Sequence, residues 1–222
     1  MHFIQKHILK LLSISRSQRY SELKLPRVES NKFAYHLQKL ITQGYVKKVP
    51  NGYGLTTKGV HYCSRVKFDD HTIRIQPKIV TLIVCKNKAG EFLVYERRKL
   101  PFIGMIGFPY GKVHLGESVD ASAAREIKEK TAFSANLTQK GIVYLLITDK
   151  HDEVITHMLC HIYLGSDPKE VGRSDVTFDK IRWMKKEEIL KTAHMPGVPE
   201  VLRIATSKKN GIQFEELSFI HE

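Results

Sequence analysis

Residues Arg125 to Phe133 read REIKEKTAF, and this short stretch decides what kind of domain surrounds it. Upstream, Ser118 or Asp120 is placed to cap a helix, and Ala121, Ala123 and Ala124 favour its propagation. On a helix, residues 126, 129 and 130 stand at i, i+3 and i+4, so Glu126, Glu129 and Lys130 share one face. Two carboxylates and one ammonium are thereby gathered on a single stripe.

Working outward, residues 97–113 (RRKLPFIGMIGFPYGKV) form a Gly- and Pro-rich loop. Before it, KIVTLIVC (Lys78–Cys85) and Phe92–Tyr95 are β-prone runs joined by the turn NKAGE. After the helix, residues 141–165 alternate as a long β-hairpin with a polar tip at Asp149–Glu153. KIRWMKKEEIL (Lys180–Leu190) suits a strand leading into a short helix, and a last helix is expected around Val198–Ser207.

This order, with the spacing G-x5-E-x7-R-E-U-x-E-E-x-G-U (U an aliphatic residue), resembles the Nudix hydrolase family. Gly111 begins the pattern, and Glu117, Arg125, Glu126, Ile127 and Glu129 follow in register. The resemblance spans about 145 residues, from 78 to 222, and implies an α/β/α sandwich. In active members the box binds Mg2+ or Mn2+ and hydrolyses a nucleoside diphosphate linked to another moiety. That chemistry needs clustered carboxylates, because metals must be held beside the diphosphate by hard oxygen ligands. Glu126 and Glu129 are the candidate catalytic and metal-binding residues; Gly111, Glu117 and Arg125 are the implied brace between loop and helix. Asp149, Asp152 or Glu153 could add a late ligand, although exposure at a hairpin tip is the plainer expectation.

Three positions depart from the pattern: Tyr110 and Ala132 replace glycines, and Lys130 replaces a glutamate. An ammonium at position 130 can substitute its own charge for the missing cation and repel a divalent ion at close range. The brace survives while the metal cradle is altered, so hydrolysis is expected to be weak or absent.

The N-terminal third has a different character. Of the formal charge of +13, residues 1–66 carry +10, with twelve Lys and Arg against Glu22 and Glu29 alone. Such asymmetry points to separate domains with separate partners, here a polyanion. Phe3, Ile4, Ile8, Leu11 and Leu12 recur at a helical period, and SQRYSELKL suits a second helix ending before Pro26. A third helix runs from Ser30, as N-cap, to Gly44, with Phe33, Leu37, Leu40 and Ile41 as its apolar stripe. Pro50-Asn51-Gly52 then punctuates a hairpin, with a short helix starting near Thr57.

Three helices and a basic hairpin resemble the winged helix-turn-helix family of DNA-binding proteins, over about 65 residues. The resemblance implies that Asn31, Lys32, Tyr35, His36 and Lys39 face base edges or phosphates of double-stranded DNA. Arg27, Lys47 and Lys48 would contact its backbone. The competing reading is a small basic domain used for dimerisation or protein contact. The expected organisation is a winged helix at 1–66, a linker at 67–77 and a Nudix-like domain at 78–222, an α+β and α/β combination.

Hydrophobic content of 42% and charged content of 27% exclude wholesale disorder. The N-terminal run MHFIQKHILKLLSIS is broken by Lys6, His7 and Lys10, so no membrane span or signal segment is expected there. Cys63, Cys85 and Cys160 lie far apart without C-x-x-C spacing, as reduced thiols of a cytoplasmic protein would. The expectation is a transcription regulator whose Nudix-like domain binds a nucleotide or phosphorylated metabolite; a homodimer would follow the manner of helix-turn-helix proteins. The alternatives are a metal-dependent Nudix hydrolase and a non-catalytic interaction or RNA-binding module.

Overall fold

The computed structural model of the chain describes residues 1–69, 72–172 and 180–221, which divide into two compact units, Met1–Ile75 and Gln76–Glu222. Residues 70 and 71 of the expected linker, and 173–179 and 222 of the expected second domain, lie outside the described residues.

The first unit runs α1 (Phe3–Ser13), α2 (Tyr20–Leu23), α3 (Ser30–Thr42), β1 (Val46–Val49), β2 (Gly52–Leu55) and α4 (Thr57–Arg65). In α1 the buried stripe is Ile4, Ile8, Leu9 and Leu12; Phe3, expected inside, is exposed. These residues pack with Leu23, Phe33, Leu37, Leu40, Val46 and Cys63 into one core. Glu29, not Ser30, occupies the cap position of α3, and Ser30 Oγ instead accepts a hydrogen bond from Lys24 Nζ at 2.8 Å. At the other end Gly44 takes a left-handed φ of 74°, and its N–H and that of Tyr45 bond to Ile41 O and Leu40 O. That arrangement satisfies carbonyls the helix would otherwise leave open. Gln18 pairs with Tyr53 through an isolated bridge at the edge of the two-stranded β1–β2 hairpin. Val66 pairs antiparallel with Ile73, so the stretch expected as linker carries an isolated bridge to the end of the first unit's last helix.

The second unit is built on a five-stranded mixed sheet in the order β10-β7-β8-β3-β6. Its strands are β3 (Lys78–Cys85), β6 (Tyr110–Lys112), β7 (Phe133–Thr148), β8 (Val154–Glu170) and β10 (Gln213–Ile220). A smaller sheet, β5-β4-β9, comprises β4 (Phe92–Glu96), β5 (Ile106–Gly107) and β9 (Ile181–Met184). Three helices complete it: α5 (Val119–Thr131), α6 (Lys186–Lys191) and α7 (Val198–Ala205). Strand alternation directs Ile83, Cys85 and Tyr163 toward Ala123 and Ile127 of α5. The opposite parity, including Val84, Cys160 and Ile162, joins a second core with Val201, Leu202 and Ile204 of α7. Helices therefore cover both faces of the large sheet, giving the α/β/α sandwich. Among the described residues no helix is long and apolar enough to cross a membrane.

Three strands escaped the sequence: β5 and β6, which lie inside the stretch expected as a loop, and β10, which pairs parallel with β7 from Gln213–Gly141 to Ile220–Thr148. Its apolar residues fall on both parities, with Leu217 and Phe219 packed on the core while Phe214 and Ile220 are exposed. An edge strand of that kind lacks the clean alternation on which a strand is recognised.

Candidate functional site

The centre of the second unit is the junction of β6 with α5. Ser118 caps α5 by accepting a hydrogen bond from Ala121 N at 3.2 Å. The loop before it is tied to the helix by Arg125, which donates from Nε to Glu117 Oε1 at 2.7 Å and from Nη2 to Glu117 Oε2 at 2.8 Å. His114 N–H adds a third bond to the Glu117 carboxylate at 3.0 Å. The paired guanidinium first, and that backbone donor second, hold Glu117 down at about 2. The same guanidinium bonds Lys112 O at 3.1 Å, and the Glu117 carboxylate raises its own pKa.

Arg125 does more than brace the loop. Its Nη1 also donates to Glu126 Oε1 at 2.6 Å and to Glu129 Oε2 at 3.2 Å, so one guanidinium serves three glutamates. Glu126 is only 4% exposed and lies flat against the β6 backbone. Gly111 makes this possible, because a Cβ at that position would overlap the Glu126 carboxyl group. Glu126 Oε2 accepts no hydrogen bond from the described residues, and Lys130 Nζ stands 3.9 Å from it. The helix ends at Ala132, which adopts the left-handed conformation (φ 60°, ψ 19°) usually left to glycine and bonds Lys128 O at 2.9 Å.

Do these residues fit Mg2+ or Mn2+? A hard divalent cation needs several oxygen donors with open lone pairs, at roughly 2.0–2.1 Å for Mg2+. Glu126 and Glu129 both carry Arg125, and Lys130 takes the third position of their face. Among the described residues no group of three or more His, Cys, Asp or Glu is placed to hold a metal ion. A unit charge 4 Å away acts with about 4 kcal/mol at an effective dielectric near 20, so the ammonium opposes any cation at Glu126. The donor set does not fit. The hairpin tip adds nothing: Asp149 Oδ1 accepts from His151 N at 2.8 Å and Glu153 N at 2.9 Å, closing its own turn.

Beside Glu126 opens a cleft of about 480 Å3. Five cations line it, Arg97, Arg98, Lys99, Lys112 and Lys130, against the carboxylates of Glu96 and Glu126. Glu96 is itself paired with Lys180 at 2.8 Å. Tyr110 OH accepts from Arg97 Nη1 at 2.7 Å, and Arg97 also bonds Lys99 O and Leu100 O, which fixes the loop after β4. So Tyr110 fills the space a glycine would leave and holds a cation at the mouth. A basic, half-enclosed cleft with donors of this kind suits phosphate groups. Of these cations the sequence singles out only Lys130. The run Arg97-Arg98-Lys99, immediately after a strand, is the signal for the others.

In the first unit, Arg27, Asn31, Lys32, Tyr35, Lys39, Lys47 and Lys48 are all exposed. His36 is not with them. It is 8% exposed, its ring stacked on His2 at 3.9 Å, and burial lowers its pKa. The expectation that His36 faces base edges or phosphates is therefore corrected: one turn from Phe33 and Leu40, it lies on the packed side of α3.

A mixed sheet between two helical layers, with the glutamate-bearing helix α5 packed on one face beside β6, defines a Nudix-like sandwich. The NUDIX domain model matches residues 76–203, more than half of the chain, and the chain belongs to the Nudix family. In fold it is similar to the mutator MutT protein of Bacillus halodurans, with a TM-score of 0.50 and 21% identity over 62% of this chain and 89% of that one. The NUDIX domain of Shewanella oneidensis NrtR, solved with ADP ribose, matches with a TM-score of 0.49 and 16% identity, over 67% of this chain and 96% of that one. Among curated proteins, the isopentenyl-diphosphate Delta-isomerase of Nocardia farcinica is 29% identical over 103 residues, 40% of this chain. The match spans 55% of that relative's length.

Proposed function

We propose that this protein is a DNA-binding transcription regulator whose Nudix domain holds a nucleotide or phosphorylated metabolite as effector without hydrolysing it. The observation that carries the reading is the Lys130–Glu126 pair together with Arg125 on Glu126 and Glu129. The family's metal face is neutralised from within, while the cleft beside it keeps five cations for an anion. Binding without turnover is what a sensor needs. In the first unit, the exposed face of α3 presents Asn31, Lys32, Tyr35 and Lys39, and the hairpin presents Lys47 and Lys48. A helix with short polar and basic side chains suits the major groove, and hairpin lysines suit phosphates. In a homodimer, effector binding would bias the spacing of two such helices across two half-sites.

The competing reading is a Mg2+- or Mn2+-dependent hydrolase of nucleoside diphosphate derivatives. One observation favours it: among the described residues, Glu126 Oε2 is a buried acceptor without a hydrogen bond.

Fluorescence anisotropy with labelled duplex DNA tests the regulator reading. Affinity should fall steeply with salt, and alanine at Lys32, Lys39, Lys47 and Lys48 should lower the log–log slope by about 0.9 for each phosphate that is no longer neutralised. Undetectable binding at low salt for both proteins would overturn it. Metal-dependent product release from a nucleoside diphosphate panel, abolished by Glu126→Gln, would establish the hydrolase instead.

A further inference from the structure

The basic cleft does not end at Glu126. Arg97, Tyr110 and Lys112 line both that cleft and a second cavity of about 230 Å3 inside the α/β/α sandwich. The inner cavity is walled by Leu82 of β3, Val143 and Leu145 of β7, Met158 of β8, Phe108 and Val201 of α7, among other apolar side chains. Its volume equals that of roughly eight waters at about 30 Å3 each, enough for a short chain or one ring.

What the wall lacks is as informative. Among the described residues no Asn, Gln, Asp or Glu lines this cavity. Besides Lys78 and the three residues shared with the mouth, Thr156 is its one uncharged side chain with a hydroxyl or amide. Arg97 already commits three of its five N–H donors to Tyr110 OH, Lys99 O and Leu100 O. A ribose or nucleobase placed inside would leave several donors and acceptors without partners, which selects against it. An apolar body meets no such penalty. At the mouth, Lys112, Lys130 and Arg97 supply the positive charge that the phosphate end requires, with no metal needed to bridge it.

We infer that the ligand of this site is a small amphiphilic phosphate ester: a phosphate or diphosphate head held by the mouth cations without divalent metal, and a short apolar body seated in the inner cavity. This rests on the effector reading above and names its ligand class. A cavity of this volume suits a short chain or single ring better than a long-chain lipid.

Isothermal titration of the full chain in EDTA tests it, using inorganic pyrophosphate, ethyl, propyl, butyl, pentyl and decyl diphosphate, and ADP. Affinity should rise roughly fourfold per methylene from ethyl to pentyl, about sixtyfold in all, and then level off once the chain outgrows the cavity. Pentyl diphosphate should bind more tightly than ADP, and added Mg2+ should not improve it. Ile155→Phe, which narrows the cavity from a partly buried position, should flatten the chain-length series while pyrophosphate, which has no apolar body, still binds. Tight metal-free binding of ADP with no gain along the alkyl series overturns this inference alone. Failure of every phosphate compound to bind, with or without Mg2+, overturns the effector reading with it.

Discussion

Replacing Lys130 by glutamate is the perturbation that asks most of this structure. Lys130 Nζ lies 3.9 Å from Glu126 Oε2 on the i, i+4 stripe of α5, and its side chain is 24% exposed. A divalent ion coordinated by Glu126 would sit at about that distance from the ammonium. In bulk water a unit pair at 4 Å interacts with about 1 kcal/mol, so an ion of charge two meets about 2 kcal/mol of repulsion even under full screening. Lys130→Glu changes the local charge by two units and converts that repulsion into attraction. The swing is about 4 kcal/mol, or roughly a thousandfold in Mn2+ affinity, and partial burial can only enlarge it. Without metal the same variant sets two glutamates at i, i+4, one of them buried, and should be less stable than the parent. Mn2+ titration followed by electron paramagnetic resonance reads the first effect. The dependence of the thermal midpoint on Mn2+ reads the second, rising in the variant by mass action and flat in the parent. Tight Mn2+ binding by the parent, improved less than about tenfold by Lys130→Glu, would refute the idea that this ammonium stands where the metal would.

Other consequences follow from single contacts. Glu117 is held at about 2 by Arg125, below its ordinary value of 4.5, so its pairing contributes stability that is complete above pH 4.5 and lost as pH falls toward 2. Urea titrations should accordingly show the gap between wild type and Glu117→Gln closing across that window; a constant gap would contradict the ion pair. Gly111→Ala would drive a methyl group into the Glu126 carboxyl, and an overpacked site of this kind costs about 1–3 kcal/mol. A melting temperature unchanged by that substitution would show that Glu126 does not lie against β6. Burial raises Cys85 and Cys160 to about 12 and Cys63 to about 11, so all three should resist thiol reagents at neutral pH until the chain unfolds. Rapid native labelling of any of them would argue against the cores described above.

The sequence carries more of the fold than of the site. Helix α5, the long β7–β8 hairpin and the helix–helix–helix–hairpin order of the first unit are legible because their periods are long and their ends are punctuated. The box residues fall into register by spacing alone. What spacing does not reveal is partnership. Nothing in REIKEKTAF says that Arg125 serves three glutamates, or that Gly111 lets Glu126 lie flat. His36 is misplaced by its sequence pattern because one turn of helix separates an outward position from a packed one, and its ring stacks on His2, the residue that caps the start of α1. The apolar cavity is invisible for a different reason. Its wall comes from all five strands of the large sheet, the loops beside them and α7, and its residues are spread from Lys78 to Leu217. The strand β10 is hidden by apolar residues on both of its faces.

The most direct measurement is a crystal grown with Mn2+ and a nucleoside diphosphate, probed by anomalous scattering at the manganese edge. The expected result is no anomalous peak within coordination distance of Glu126, with Lys130 Nζ beside Oε2 and phosphate density against Arg97, Lys112 and Lys130. A manganese peak bridging Glu126 and the diphosphate, with Lys130 swung away, would contradict the central claim and restore the hydrolase.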